Sequence, residues 1–294
     1  MSQQFSLSNG AAPPTDAEMR LIARILHDAA GIVIAPGKGS MVQSRLAKRL
    51  RALGLPSYES YLDLVQSDEG AAEKREMISA LTTNVTHFFR ESHHFDMLRD
   101  KILPPLVARA KAGGKVRIWS AGCSIGQEAY SIGMVLAELV PDPNALDIKI
   151  LCTDIDPVVT AKGRAAIYDA SNAESIPADL RRKYIENVPQ GIRVIEPLRR
   201  LMTFNELNLH AAWPMKGKFD VIFCRNVVIY FDPPAQAKLW QRFGAALAPE
   251  GWLMVGHSER VPTDDKSGFV TAGITAYRHA STGMPPKAGE KTWH

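Results

Sequence analysis

Hydrophobic residues in the first part of the chain recur with the spacing of helices. Ile22 and Leu26 lie one turn apart, and Thr15 with Glu18 ahead of them forms the pattern of a capping box. Further helices are predicted from about Ser40 to Leu53, over 58–67 and over 71–83. The pattern therefore predicts a small all-helical domain over residues 15–90.

From residue 116 the pattern changes to short apolar runs that alternate with amphipathic segments. The predicted strands are Val116–Ser120, Asp147–Thr153, Phe219–Cys224 and Gly251–Gly256, with one or two more over 268–279. The predicted helices are 126–140 and two that begin near Pro157 and Pro233. Strands that alternate with helices indicate a parallel sheet with helices on both faces. We therefore predict an α/β domain over residues 114–280.

Three kinds of segment fall outside these two patterns. Residues 91–113 are a linker helix region, which Pro104 and Pro105 are expected to break or kink. Residues from about 167 to 205 interrupt the alternation with polar stretches and short β-like runs, and they predict a small inserted β-subdomain. Its runs and turn are Ile192–Ile195, Leu201–Phe204 and Val188–Gly191. The polar ends, 1–14 and 281–294, are expected to be mobile tails.

Composition narrows the class of protein. The 294 residues are 46% hydrophobic and 22% charged, an ordinary globular balance, and the net charge of +4 is too small to imply a nucleic-acid partner by itself. Three cysteines without a close pair argue against a disulfide framework and a cysteine-rich zinc site. The first residues lack the features of a signal peptide, and no apolar run reaches the ~18 residues of a membrane span. We therefore expect a soluble, cytoplasmic protein.

A glycine turn and an acidic residue follow the first two predicted strands. Gly122 and Gly126 would let the backbone approach a ligand, at the sheet edge where open α/β folds bind ligands. The spacing is neither the dinucleotide nor the P-loop pattern, and two ordinary turn glycines are an equally good interpretation. Asp154 could accept both hydroxyls of a ribose, or it could cap the next helix, for which Asp156 is better placed. Together these residues suggest an adenosine-containing cofactor.

Two further segments carry polar side chains where a site would lie. Arg225, Asn226 and Tyr230 follow the third strand, although they could merely close the end of the sheet. The prolines after Asp232 are best interpreted as the opening of the next helix. The segment T-T-N-V-T-H-F-F-R-E, residues 82–91, places polar side chains and two aromatic residues at the domain junction.

Taken together, these segments resemble the chemotaxis receptor methyltransferases, the CheR family. The resemblance rests on T-N-V-T-H-F-F-R-E, C-S-I-G-Q-E-A-Y-S, T-D-I-D and R-N-V-V-I-Y-F-D, in that order along the chain. It implies a class I (Rossmann-like) methyltransferase domain with an inserted β-subdomain, preceded by an all-α domain. It also implies transfer of a methyl group from S-adenosylmethionine to glutamates on the cytoplasmic helices of chemoreceptors, with S-adenosylhomocysteine as the product. Such a protein would associate with receptor clusters at the membrane without inserting into it.

The resemblance also implies roles for individual residues. Arg90 and Tyr230 match positions with catalytic or substrate-positioning roles. The implied cofactor contacts are Asn84, Thr86, Arg90, Glu128, Asp154, Asn208, Leu209, Arg225 and Asn226. No metal is expected, because the histidines form no ligand pattern and the adjacent His93 and His94 should point in different directions on a helix.

Substrate docking is expected to involve the second helix. Its basic residues Arg45, Lys48, Arg49 and Arg51 would attract glutamate-rich receptor helices, although a solvated basic face is the alternative. The short tip of the insertion argues against tethering by a receptor C-terminal pentapeptide. Two other functions are alternatives, a nucleic-acid methyltransferase and a non-catalytic S-adenosylmethionine-binding receptor adaptor. The first lacks a broad basic surface, and the second would not need the site residues that are present.

Overall fold

The computed structural model describes residues 12–264 and 267–280, so the predicted tails lie almost wholly outside the described residues. The chain begins with a bundle of four helices. They are α1 (Asp16–Ala30), α2 (Gly39–Leu53), α3 (Tyr58–Gln66) and α4 (Ala71–Leu81). Both halves of the predicted capping box are present, because Thr15 and Glu18 exchange side-chain to backbone hydrogen bonds. The predicted helices are confirmed to within two residues at most ends.

A continuous helical connector follows the bundle. It consists of α5 (His93–Met97), a π-helical turn (Leu98–Ile102) and α6 (Leu103–Lys111). Pro104 and Pro105 occupy the first turn of α6, and the wider π-helical turn directly precedes them. The prolines therefore change the helical geometry, as predicted, without ending the helix.

A seven-stranded sheet forms the centre of the second domain. Its strands are β1 (Val116–Ala121), β2 (Ile148–Asp154), β6 (Met202–Glu206), β7 (Phe219–Cys224), β8 (Leu247–Val255), β9 (Phe269–Gly273) and β10 (Ala276–His279). The strand order is β6-β2-β1-β7-β8-β10-β9, parallel except where β10 joins antiparallel to its two neighbours. Three helices connect the parallel strands, namely α7 (Gln127–Leu139), α8 (Pro157–Ala165) and α11 (Pro233–Ala246). This is the parallel α/β sheet that the alternation of strands and helices predicted, and it has the class I methyltransferase architecture that the resemblance implied.

The insertion between α8 and β6 contains a small antiparallel sheet. Its elements are β3 (Ile167–Tyr168), α9 (Ala178–Tyr184), β4 (Ile185–Val188), β5 (Gly191–Val194) and α10 (Glu196–Arg199). Strands β4 and β5 are joined by a two-residue turn. The prediction that Leu201–Phe204 belongs to this insertion is wrong, because β6 pairs in parallel with β2 from Met202 onward. The short run resembled its neighbours in composition, but its partner strand lies about fifty residues earlier.

The two domains meet at the end of α1. The Val33 N–H donates to the Tyr230 carbonyl at 2.8 Å, and an isolated antiparallel bridge joins Ile32 to Phe231. The Asn208 amide donates to the Ala29 carbonyl at 2.6 Å. These bonds fix the end of α1 against the loops at the carboxyl edge of the sheet. No helix within the described ranges is long and apolar enough to cross a membrane.

Candidate functional site

A deep cleft opens between the helical bundle and the carboxyl ends of β1, β2 and β7. It encloses about 1030 Å³ of space, its open mouth included. Strand order reverses here, since β2 lies on one side of β1 and β7 on the other, and this is where open α/β sheets bind ligands. All nine predicted cofactor contacts and both predicted catalytic residues line the cleft. The structure therefore brings the predicted set together, while the role of each residue stays a prediction.

The turn after β1 forms the floor of the cleft. Gly122 and Gly126 have φ angles of 76° and 86°, a left-handed conformation that glycine adopts without strain. A methyl group on Gly122 would collide with the Val227 side chain, and one on Gly126 would come within 2.8 Å of the Phe204 ring. The two glycines are therefore required by packing as well as by backbone conformation.

Asp154 lies at the end of β2 and shapes that turn. Its carboxylate accepts hydrogen bonds from the Ser124 N–H at 2.8 Å and the Asp156 N–H at 3.1 Å. Burial raises the pKa of Asp154 to about 6, against the lowering effect of these N–H groups. Asp156 caps α8, as predicted, by accepting from the Val158 N–H. Asp154 is thus free of the capping role, and each of its oxygens retains acceptor capacity towards the cleft.

A buried row of charges runs behind the turn. Arg225 lies between two carboxylates, with Nη1 at 3.1 Å from Glu128 Oε2 and Nη2 at 3.3 Å from Glu91 Oε2. It also donates to the Arg90 carbonyl, and the Ser120 hydroxyl donates to Glu128 at 2.7 Å. Burial raises the pKa of Glu128, although Arg225 and Ser120 oppose this effect. Arg225 therefore holds Glu128 and the backbone at Arg90 in place.

The segment after α4 forms the opposite wall. The Asn84 amide donates to Asp156 Oδ2 at 3.0 Å, and the Ser124 hydroxyl donates to the Asn84 carbonyl at 3.1 Å. The Arg90 guanidinium donates one hydrogen bond within the described residues, to the Val85 carbonyl at 3.2 Å. Because a guanidinium has five N–H donors, most of the donors of Arg90 remain for a ligand in the cleft.

Tyr230 lies at the mouth of the cleft, at the end of a short 3₁₀ turn (Val228–Tyr230). Glu259 holds this turn from behind, because its buried carboxylate accepts from the backbone N–H groups of residues 226–229 and of Gly256. Asn226, at the start of the loop, has a left-handed backbone with φ of 59°. The predicted helix opening is confirmed, since Asp232 caps α11 with a bond from the Ala235 N–H.

Two of the predicted docking residues have structural partners. Arg45 donates to the Ala80 and Thr82 carbonyls at 3.2 and 2.5 Å, which closes the C-terminal end of α4. Arg49 forms a bidentate pair with the buried Glu73 and contacts Glu76. Arg45 and Arg49 are therefore half-buried against α4, and docking through them stays a prediction. Lys48 and Arg51 are exposed, and docking through them also stays a prediction.

The expectation that His93 and His94 diverge is wrong. Their ring centroids lie 4.2 Å apart, beside the Glu91 carboxylate. Phe89 and Glu91 both have positive φ angles, and the His94 N–H donates to the Glu91 carbonyl at 3.1 Å. Glu91 therefore begins a tight turn that leads directly into α5, and the rings of His93 and His94 lie side by side at the first two positions of that helix.

Sequence reasoning missed the two buried glutamates that hold the site, Glu91 and Glu259. Glu91 binds Arg225 on one side and the His257 backbone and ring on the other. The available signal was position, because Glu91 ends the segment 82–91 and Glu259 lies just after the predicted strand Gly251–Gly256. Their partners lie far from them along the chain, so the sequence alone did not predict these contacts.

Comparison with known proteins covers both domains. Residues 17–82 match the all-alpha domain of the CheR methyltransferases, and residues 84–277 match their S-adenosylmethionine-binding domain. A probable chemotaxis protein methyltransferase of Rhizobium etli is 52% identical over 268 residues, covering 90% of this chain and 100% of its own. A chemotaxis protein methyltransferase of Escherichia coli is 40% identical over 283 residues, covering 94% and 93%.

Solved structures give a weaker match. An S-adenosylmethionine-dependent methyltransferase of Mesorhizobium loti covers 55% of this chain and 54% of its own, at 17% identity and a TM-score of 0.31. That similarity is too low to carry an argument. The matches to both family domains and the two sequence relatives identify the protein class without it.

Proposed function

The chain belongs to the CheR methyltransferase family and is an S-adenosylmethionine-dependent methyltransferase, and from this premise we propose its reaction. The methyl group of S-adenosylmethionine is transferred to glutamate carboxylates of chemoreceptors, giving glutamate methyl esters and S-adenosylhomocysteine. The observation that carries the proposal is that the acceptors Asp154 and Glu128 and the donors Arg90 and Tyr230 line the same cleft. The acceptors suit a polar cofactor, and the donors suit an incoming carboxylate.

The polar groups that line the cleft fit S-adenosylmethionine. Asp154, at the end of β2, would accept hydrogen bonds from the ribose hydroxyls, and the left-handed glycines of the turn would let the backbone approach the cofactor closely. Glu128 offers a carboxylate for a positively charged amino group, and Asn208 and Leu209 line the same cleft. When bound, the cofactor supplies a methyl group that is already activated by a sulfonium.

The chain's own residues then have a limited task. A glutamate side chain has a pKa of about 4.3, so it is ionised at neutral pH and needs no general base. Arg90 would hold that carboxylate by charge-assisted hydrogen bonds, and Tyr230 would orient the reacting groups through its hydroxyl. The walls of the cleft would exclude water and hold the carboxylate in line with the methyl group.

The substrate class is tested by transfer of labelled methyl from S-adenosylmethionine to a chemoreceptor cytoplasmic fragment. We expect label that mild alkali removes and that glutamate substitution in the fragment abolishes. Alkali-stable label would contradict a carboxyl target and would move the acceptor to nitrogen or nucleic acid. Intact cofactor binding without transfer to any receptor of a panel would favour the adaptor function instead.

The role of Tyr230 is tested by Tyr230→Phe. Turnover should fall by roughly tenfold or more, a loss of about 1.4 kcal/mol of transition-state stabilisation, while the Kd for the cofactor changes little. Tyr184→Phe is the matched control, because Tyr184 lies in the insertion and its hydroxyl donates to Glu138 of α7, away from the cleft. Equal turnover in Tyr230→Phe and the control would remove the proposed role.

A further inference from the structure

We propose that Glu91, His93 and His94 form a binding site for a divalent transition-metal ion, with zinc as the best match. One possible ligand atom from each of the three residues lies within 4.8 Å of the others. Two imidazoles and one carboxylate are ligands that zinc prefers, whereas magnesium and calcium prefer sites made of oxygen atoms. The cluster lies at the start of the helical connector and behind Arg225.

Three buried polar atoms in this cluster lack hydrogen-bond partners. They are Glu91 Oε2, His93 Nε2 and His94 Nδ1, in the part of the chain that the structure describes. Glu91 Oε2 forms an ion pair with Arg225 Nη2 at 3.3 Å, whereas the two imidazole nitrogens have no hydrogen-bond partner among the described residues. Native proteins leave few such atoms unpaired, because each costs about 1–3 kcal/mol. Two unpaired imidazole nitrogens beside a carboxylate oxygen therefore indicate a shared ligand.

Hydrogen bonds on the far side of the His94 ring determine which nitrogen carries the proton. The Thr275 hydroxyl donates to the Ile274 carbonyl at 2.8 Å, so its oxygen is left to accept from His94 Nε2 at 2.9 Å. The proton therefore resides on Nε2, and Nδ1 presents a lone pair. An imidazole whose second nitrogen is fixed by an outer partner is the usual arrangement of a metal ligand.

That lone pair faces a carboxylate oxygen. His94 Nδ1 lies 3.7 Å from Glu91 Oε2, and the His94 side chain is 0% exposed. Two acceptors in such contact repel each other unless a proton, a water or a cation lies between them. Metal–ligand distances of about 2.0–2.2 Å on each side are compatible with this separation.

The surrounding charges also favour a cation. Glu91 and Glu128 are both buried against Arg225, so two carboxylates share a single guanidinium. A divalent ion on the side of Glu91 away from Glu128 would add the missing positive charge. Glu91 Oε1 is held by the ring and backbone of His257, which orients the carboxylate with Oε2 towards the histidines.

The test is zinc binding by the full, tag-free chain after chelator treatment, measured by titration calorimetry without cofactor or receptor. We expect one equivalent to bind, and His93→Gln to weaken binding by more than the roughly 10- to 100-fold that loss of an outer-shell partner costs. His27→Gln is the matched control, since it removes an imidazole from α1 instead, and it should bind as the unmodified chain does. Equal binding by His93→Gln and the unmodified chain would overturn the proposal, as would no binding at all.

A second measurement avoids substitution altogether. Cobalt(II) replaces zinc in such sites, and the proton NMR spectrum of the cobalt form should contain two exchangeable, paramagnetically shifted imidazole N–H resonances. Their absence would overturn the proposal and leave a bound water as the shared ligand. Both readouts are independent of methyl transfer, so failure of the metal site and failure of the proposed reaction are distinguishable.

Discussion

The two loops that form the cleft, after β1 and after β7, are built in different ways. The β1 loop obtains its shape locally, from Gly122 and Gly126 with positive φ and from a carboxylate on the adjacent strand. The β7 loop has no glycine between Arg225 and Asp232, and Asn226 adopts the left-handed conformation there. Its shape is stabilised by Glu259, which lies about thirty residues further along the chain and binds a row of its N–H groups.

This difference shows how each loop avoids or offsets backbone strain. Glycine removes the conformational cost in the first loop, whereas in the second loop charge-assisted hydrogen bonds compensate for it. The loop that positions Tyr230 therefore depends on one side chain, and the loop that approaches the cofactor depends on its own backbone. The two loops also touch, since Gly122 packs against Val227.

Loss of the Glu259 carboxylate should have the largest effect. Glu259→Ala leaves several buried N–H groups without an acceptor, and we expect a loss of about 3–4 kcal/mol in the free energy of unfolding. Urea denaturation measures this loss. Glu174→Ala, an exposed glutamate in the insertion, should change the same quantity by less than about 0.5 kcal/mol. Comparable losses in the free energy of unfolding for the two variants would show that the β7 loop keeps its shape without the Glu259 carboxylate.

Asp154 should give the next largest effect, on cofactor binding. Asp154→Asn should weaken binding by about 10- to 100-fold, because charge-assisted hydrogen bonds contribute about 1.5–3 kcal/mol each. The pKa of Asp154 is raised to about 6, above its unfolded value, so its charged form is present in the folded chain only above that pH. Affinity should therefore fall as the pH falls through about 6. Calorimetry from pH 5 to 8 tests this, and Asp154→Asn should abolish the pH dependence in this range.

The contact between the loops should have a smaller effect. Gly122→Ala and Gly37→Ala both place a methyl group on a left-handed backbone, with φ of 76° and 82°, but only the first meets a neighbour. The pair separates conformational strain from steric contact. We expect Gly122→Ala to lose roughly 1–2 kcal/mol more in the free energy of unfolding than Gly37→Ala. An equal loss would mean that Val227 moves aside without cost.

The weakest expected effect concerns the hydrogen bond between His27 of α1 and Asp232 at the end of the β7 loop. His27 Nε2 lies 3.0 Å from Asp232 Oδ2, and this bond, with a second from Asp28, raises the pKa of His27. A raised pKa means that the stabilisation is present below about pH 6.5 and is lost as the pH rises through the folded value. His27→Gln should therefore lower the Tm by no more than about 1–2 °C at pH 6, because the pair is largely exposed. A difference in Tm between His27→Gln and the unmodified chain that persists at pH 9 would contradict stabilisation by protonated His27.

The sequence predicted what local residue types determine. The capping box, the glycine turn, the cap at Asp156 and most strands follow from neighbours along the chain, and each is found. The features that the sequence did not predict depended on interaction partners that lie far away along the chain. The partners of Arg45 and Arg49 lie on α4, about thirty residues away. Leu201–Phe204 looked like part of the insertion for the same reason, since only its pairing with β2 reveals its place.

The hydrogen bond between Val33 and Tyr230 has a consequence for the order in which the molecule is assembled during synthesis. The helical bundle leaves the ribosome first, and its contacts are local enough for it to fold early. The acceptor of the Val33 N–H, the Tyr230 carbonyl, is synthesised almost two hundred residues later. The cleft is therefore completed only after β7 and its loop have been translated, and a nascent chain that stops before β7 lacks the wall that carries Tyr230.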